Sequence, residues 1–224
     1  MDLLDWARGP LLAVAIAIFV SGCAWRAWSL LRLPQRAPSA PERQAFGRGD
    51  AARAALRRFA APRGFPPSAT LVTFTPYLFH IGLALVFFGY APHIAFVRRL
   101  TGLSWPALPD AAMYLAAGLT IASLLLAMVF RLSDPVLRRI SRADDHVSWV
   151  LTMLPVLTGM AVVGEPSSAL LGHGTAYRDP LAVHLLAVEL LLVWFPFGKL
   201  MHAFLALPAR MQLATFFGRR GVRA

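Results

Sequence analysis

The stretch Asp179–Pro208, DPLAVHLLAVELLLVWFPFGKLMHAFLALP, is the last long apolar run of the chain and decides its fold class. It carries His184 and His202, eighteen residues apart. On one continuous helix this spacing is five whole turns, so both imidazoles lie on one stripe about 27 Å apart, close to the thickness of a bilayer's hydrocarbon core. The stretch therefore predicts a membrane helix with one imidazole near each end of a single face.

The composition is that of an integral membrane protein. The 224 residues are 58% hydrophobic and only 15% charged, and the mean hydropathy is +0.60, which is unlike a soluble domain. The net charge of +11 does not indicate nucleic-acid binding, because membrane proteins concentrate arginine on one side. Cys23 is the single cysteine. This excludes an internal disulfide and any zinc or iron–sulfur site built from cysteines.

Five apolar segments are each long enough to span a bilayer, and no segment is typical of a strand. We therefore predict an all-α fold in which residues 1–224 form a single membrane domain of five transmembrane helices. The predicted spans cover about residues 9–25, 68–97, 111–130, 146–164 and 180–207.

The arginines predict the orientation of these spans. With the N-terminus outside, the inner segments 26–67, 131–145 and 209–224 hold nine, four and four arginines. The outer segments then hold four, and the positive-inside rule favours N-terminus out and C-terminus in. Residues 42–61 of the basic cytoplasmic segment have the spacing of a short amphipathic helix, with Ala52, Ala55, Leu56 and Phe59 on its apolar face. We favour contact with lipid headgroups over a dedicated docking role for this helix.

The N-terminal region allows two interpretations. Val20–Cys23 resembles a lipoprotein processing site, which would remove the first span. The leader, however, has Asp2 and Asp5 beside a single Arg8 and lacks a basic region. An ordinary first span is therefore favoured.

Histidines inside the spans are the main candidates for a functional site, because polar groups at membrane depth are costly. His80 lies mid-span in the second segment, and His93 lies near its outer end, where Pro92 is expected to kink or break the helix. If the second and fifth spans are antiparallel, His80 and His202 lie toward the cytoplasm, and His93 and His184 lie toward the outside. Two imidazole pairs at two depths meet the requirement of bis-histidine haem ligation. The alternative for each is a hydrogen-bonded structural histidine.

Two motifs then carry a family resemblance. LFHIG at Leu78–Gly82, followed by Phe88-Gly89, and FPFGKLMH at Phe195–His202 resemble the second and fifth spans of the respiratory nitrate reductase gamma subunit. The resemblance covers roughly residues 68–208. It implies five spans with the N-terminus outside, two b haems, quinol oxidation near the outer face and electron transfer to a cytoplasmic iron–sulfur protein.

The resemblance also implies specific ligands. His80 and His202 match the inner haem pair, and His184 matches one ligand of the outer haem. The family's second outer histidine falls on Tyr90, while His93 lies three residues later. Either His93 serves as that ligand, or the outer haem is altered or absent and one haem b remains.

Three residues are candidates for quinone binding, namely Tyr90 and, in the outer connection, His173 and Arg178. A polar, glycine-bearing loop there would hydrogen-bond a quinone carbonyl or accept a proton. The alternative for His173 is an exposed loop histidine without a role.

Four further polar residues have two interpretations each. Glu189 lies within the fifth span and either relays a proton or is protonated and packed. Lys199 and Arg131 would either neutralise haem propionates or extend to the membrane interface. His146 begins the fourth span, where a helix cap is favoured over a metal ligand.

The sequence as a whole predicts a quinol-oxidising cytochrome b subunit of an oxidoreductase complex, with the reverse direction, quinone reduction, also open. The expected partners are membrane lipids, quinol, a cytoplasmic iron–sulfur protein and a catalytic subunit, without nucleic acid. The rival is a non-redox membrane anchor or transporter component with structural histidines.

Overall fold

The computed structural model describes residues 2–33, 43–57, 59, 67–163 and 178–222. These residues are largely helical and include no strand, which confirms the all-α prediction. The helices are α1 Leu3–Arg8, α2 Pro10–Leu31, α3 Arg48–Arg57, α4 Pro67–Gly89, α5 Ala91–Thr101, α6 Asp110–Ser133, α7 Pro135–Ile140, α8 Ala143–Val162, α9 Arg178–Trp194 and α10 His202–Gly218, with a 3-10 turn over Lys199–Met201.

Four helical segments in the described part of the chain are long and apolar enough to cross a membrane. They are Leu3–Leu31, Leu71–Gly89, Asp110–Ser133 and Ala143–Val162. A fifth is added if α9 and the helical segment after it are counted as one broken span. The helices are therefore those of a multi-pass membrane protein with four or five spans.

The prediction of one unbroken helix over residues 180–207 is wrong. α9 ends at Trp194, and the chain turns through residues 195–198 before α10 begins at His202. Pro196 causes this break because it has no backbone N–H and its ring clashes with the carbonyl four residues earlier. His184 and His202 therefore lie on different helices, and no continuous five-turn stripe joins them.

The second predicted span is also two helices. α4 ends at Gly89, Tyr90 has an extended backbone (φ −82°, ψ 126°), and α5 begins with Pro92 in its first turn. The break that Pro92 was expected to cause is therefore present. Because of this break, His80 and His93 do not lie on one continuous helix.

The chain divides into two compact units. The prediction that residues 1–224 form a single membrane domain stays a prediction. The first unit comprises Met1–Phe19 and Pro66–Trp194, and the second comprises Val20–Phe65 and Phe195–Ala224. In the first unit α4 packs on α6, α6 on α8, α8 on α9, and α9 on α1. α9, which carries His184, is thus held between α8 and α1.

Small residues and indole groups fix the helix contacts of the first unit. A Cβ on Gly82 of α4 would overlap Oγ1 of Thr120 on α6, and such small residues let membrane helices approach closely. Trp149 Nε1 donates to the Leu124 carbonyl (2.8 Å), which joins α8 to α6. Trp194 Nε1 donates to Ser148 Oγ (2.9 Å), which joins α9 to α8. These contacts set the register in which α8 meets α9.

In the second unit α3 packs against α10 through Ala51 and Ala55. Within the predicted amphipathic segment 42–61 the helix begins at Arg48, while residues 42, 58, 60 and 61 lie outside the described residues. Leu56 is 62% exposed, and its predicted contact with lipid stays a prediction. α2 meets the turn before α10, because a Cβ on Gly22 would lie 2.7 Å from Pro196 Cγ.

Candidate bis-histidine site

His93 and His184 lie side by side in the first unit. His93 is in the first turn of α5, and His184 is in the second turn of α9. Their ring centroids are 6.2 Å apart and their planes are inclined by 21°. Both side chains are half-buried. The structure thus places two imidazoles from separate helices close together.

The end of α4 holds the His93 ring. The last carbonyls of a helix have no partner within it, and here the Val86 carbonyl lies 3.2 Å from His93 Nδ1. A carbonyl can only accept, so a neutral His93 carries its proton on Nδ1 and keeps the Nε2 lone pair for a metal. The Phe87 ring lies nearly parallel to the imidazole at 5.4 Å. Tyr90 contacts the same ring edge-on at 5.3 Å.

Thr158 of α8 holds the His184 ring in the same way. Thr158 Oγ1 lies 3.2 Å from His184 Nδ1 and donates its one proton to the Leu154 carbonyl at 2.7 Å. The hydroxyl therefore accepts from His184, which places the imidazole proton on Nδ1 and leaves Nε2 unprotonated. Gly159 provides the space, since a Cβ there would lie 3.2 Å from His184 Cε1.

The distance between the two ring centroids can be compared with that of two imidazoles bound to one metal ion. A first-row metal binds an imidazole nitrogen at about 2.0–2.1 Å, and the ring centroid lies about 1 Å behind that nitrogen, so two axial rings have centroids about 6 Å apart. The observed 6.2 Å agrees. Two neutral imidazoles oriented by hydrogen bonds at Nδ1 are a donor set that can hold a metal ion such as haem iron.

His80 and His202, predicted as the inner pair, lie in different units, so their pairing stays a prediction. His80 Nδ1 contacts the Pro76 carbonyl of its own helix at 2.5 Å. His202 Nδ1 contacts the Lys199 carbonyl at 2.9 Å. Both side chains are exposed, and each ring again has a carbonyl acceptor at Nδ1.

The quinone candidates have different surroundings. Tyr90 adjoins His93, as described above. Arg178 is held by acidic groups: its Nε donates to Asp2 Oδ2 at 3.0 Å, and its NH2 group lies 3.7 Å from Asp5 Oδ1. These contacts join the first turn of α9 to α1. His173 lies outside the described residues.

Arg131, His146 and Lys199 were the remaining candidates, and they were predicted to lie toward the inner side. Arg131 donates to Ser141 Oγ at 2.8 Å and lies 3.5 Å from Asp145 Oδ1. The prediction that His146 caps α8 is wrong, because Asp145 accepts the Arg142 backbone N–H at 2.9 Å and His146 follows inside the first turn. Lys199 is exposed in the turn before α10.

Glu189 is a buried acidic residue of the first unit. It lies on α9 and is only 6% exposed. Its Oε1 atom has no hydrogen-bond partner among the described residues. A buried carboxyl group in this position costs least as the neutral acid.

Sequence reasoning missed Thr158 and Gly159. Their sequence pattern did carry a signal: a hydroxyl residue followed by a glycine within an apolar span is typical of a contact between membrane helices.

Within the described residues there is no cluster of three or more histidine, cysteine or acidic side chains that would hold a metal.

No protein-family model matches the sequence. The chain is similar to a protein of Nitratidesulfovibrio vulgaris strain Hildenborough, with 29% identity over 222 residues. The match covers 95% of this chain and 93% of that protein. The similarity therefore runs through the whole membrane region rather than through one motif.

Proposed function

We propose that this protein is a haem b-binding membrane subunit of a quinone-linked oxidoreductase complex. It would transfer electrons between membrane quinol and a cytoplasmic iron–sulfur protein that serves a catalytic subunit. The observation that carries the proposal is the pair His93 and His184, whose rings lie 6.2 Å apart with both Nδ1 atoms held by acceptors.

In this proposal His93 and His184 hold an outer haem, and His80 and His202 hold an inner one. A bound haem supplies a one-electron carrier whose potential depends on its ligands and surroundings. Val86 and Thr158 fix the tautomer and orientation of the outer imidazoles, which raises their basicity as ligands. Phe87 and Gly159 limit how far the rings can rotate.

The proposed orientation is N-terminus outside and C-terminus cytoplasmic, in a bacterial inner membrane, supported by the excess of arginine in the predicted inner segments. Quinol would bind near the outer site, where Tyr90 adjoins His93. Tyr90, Arg178 and His173 are the candidate hydrogen-bond donors to a quinone carbonyl, and Arg178 is also paired with Asp2. The iron–sulfur partner would meet the basic segment 26–67.

The decisive experiment is a haem count on the purified full-length protein by pyridine haemochrome. We expect two b haems per chain, and one haem after either His93→Ala or His184→Ala. His146→Ala is the matched control, because His146 also lies on a span and should leave both haems in place. Tyr90→Phe should also keep the full count.

Two results would contradict the proposal in different ways. A protein without b-type absorbance would favour the membrane anchor or transporter component. A full haem count in His93→Ala would show that another group completes the outer site.

A further inference from the structure

A cleft of about 460 Å³ lies at the end of α5, and an apolar groove of similar volume lies along α4. Both include Trp105, so the indole forms a wall of each. The cleft is lined by Ala91, Ile94, Ala95, Arg98, Arg99, Ser104, Trp105 and Ala107. The groove adds Ile81, Leu85, Phe88 and Leu108 on its apolar side.

The wall between cleft and groove is fixed by the last turn of α4. Trp105 Nε1 donates to the Phe88 carbonyl at 2.6 Å. The Leu108 backbone N–H donates to the Gly89 carbonyl at 2.9 Å. Gly89 leaves no space for a side chain, since a Cβ there would lie 2.6 Å from Leu108 Cδ1. The site is therefore formed before any ligand binds.

The cleft carries two positively charged side chains. Arg98 and Arg99 lie in the last turn of α5 and are exposed. Neither makes an ion pair with any residue that the structure describes. Ser104 adds a hydroxyl group to the same wall. Together these groups suit a phosphate-bearing ligand.

The groove carries apolar surface. Ile81, Leu85 and Phe88 recur at helical spacing on one face of α4 and are 60%, 43% and 54% exposed. From Ile81 to Phe88 this face extends about 10 Å along the helix. Since Leu71–Gly89 is a candidate span, the groove continues from the basic cleft into the region of the acyl chains.

We propose that the Trp105 cleft and groove form a binding site for one anionic phospholipid. The phosphate binds at Arg98 and Arg99, the glycerol region lies against Trp105, and one acyl chain follows Ile81, Leu85 and Phe88. A free phosphate would leave the groove unused, and a quinone lacks the negative charge that the two arginines would bind. The site requires only a membrane-inserted chain and does not depend on haem binding.

The test is lipid binding to the full-length protein, measured by native mass spectrometry. Phosphatidylglycerol is titrated against phosphatidylcholine. We expect one tightly held phosphatidylglycerol, with at least about tenfold weaker binding of phosphatidylcholine. Arg98→Gln/Arg99→Gln should lose about tenfold or more in affinity for phosphatidylglycerol, since each arginine near a lipid surface contributes several-fold.

The matched control is Arg138→Gln/Arg139→Gln, which removes an arginine pair from the last turn of α7. Circular dichroism identifies any variant that fails to fold. Ala84→Phe fills the groove without changing charge, and it should weaken binding while the arginines remain.

Four results would overturn the proposal. The two double arginine variants could lose affinity for phosphatidylglycerol equally, or the protein could bind both lipids with equal affinity. Binding could also be unchanged in Ala84→Phe, or inorganic phosphate alone could displace the lipid. Displacement by a short-chain quinol would instead assign the cleft to quinol.

Discussion

The two predicted haem sites differ in how their histidines are held. His93 and His184 are half-buried, and their Nδ1 partners are seven and 26 residues away in the chain. His80 and His202 are exposed, and their Nδ1 partners are four and three residues away. Contacts from other elements therefore orient the first pair, whereas each ring of the second pair has a hydrogen-bond acceptor close by in its own segment of chain.

This difference predicts different behaviour without cofactor. The imidazoles of the outer pair are fixed by packing and by hydrogen bonds from other elements, so little order should be gained when haem binds. The rings of the inner pair are more exposed, so we expect them to gain more order on binding. The predictions that follow separate the two sites, from the largest expected effect to the smallest.

The largest effect is expected from Thr158→Val, which removes the hydroxyl group that accepts a hydrogen bond from His184 Nδ1. Loss of such a partner typically weakens metal binding by about 10- to 100-fold. We expect this loss at the outer site only, measured by haem titration of the apo-protein with separate fits for the two sites. Thr158→Ser keeps the hydroxyl and should bind normally. Equal affinities in the two variants would mean that the hydrogen bond does not orient the ring.

Gly22→Ala should affect the inner site instead. The new Cβ would lie 2.7 Å from Pro196 Cγ, so the turn that precedes His202 must move. Such overpacking costs about 1–2 kcal/mol, and we expect a roughly 5- to 30-fold loss of inner haem affinity. Gly118→Ala is the control, because a Cβ at Gly118 meets no atom within 4 Å. If only the outer haem lost affinity, the assignment of His202 to the inner haem would be wrong.

Gly159→Ala should have a smaller effect at the outer site. Its Cβ would lie 3.2 Å from His184 Cε1, a contact that a shift of a few tenths of an ångström relieves. We expect a cost below about 1.5 kcal/mol and a changed low-spin haem signal in electron paramagnetic resonance. An unchanged signal would indicate that the His184 ring has more space than the structure gives it.

The smallest effect is expected from Asp2→Asn. The backbone N–H of Asp5 and then Arg178 lower the pKa of Asp2 below its ordinary value of 3.8. The ionised form therefore stabilises the fold above pH 3.8, and this contribution disappears as the pH falls through the lowered pKa. Thermal unfolding at pH 7 should show a slight loss for Asp2→Asn that salt reduces and that is absent in strong acid. A loss that persists in acid would point to a role other than charge.

The sequence was sufficient to predict the helices that could span a membrane, because apolar length is a local property. Pro92 also indicated where the second span breaks. Pro196 carried the same signal, but the regular spacing of His184 and His202 favoured an unbroken helix. The proximity of His93 and His184 depends on the extended backbone of Tyr90. The periodicity of the sequence does not indicate such a backbone conformation.

The hydrogen bond between Thr158 and His184 could not be predicted from the sequence, for a different reason. It joins two helices across 26 residues, and its direction depends on the second bond that Thr158 makes to Leu154. Only the register of α8 against α9, set by Trp194 and Ser148 at the other end, brings these groups together.

The last turn of α4 has a consequence for how the protein would respond to its bilayer. Its Val86 carbonyl receives His93, and its Phe88 carbonyl receives Trp105. A lipid that shifts the indole would therefore move the backbone that orients an imidazole, with less than one helical turn between them. If a haem is bound by His93 and His184, membrane composition would then influence its redox potential.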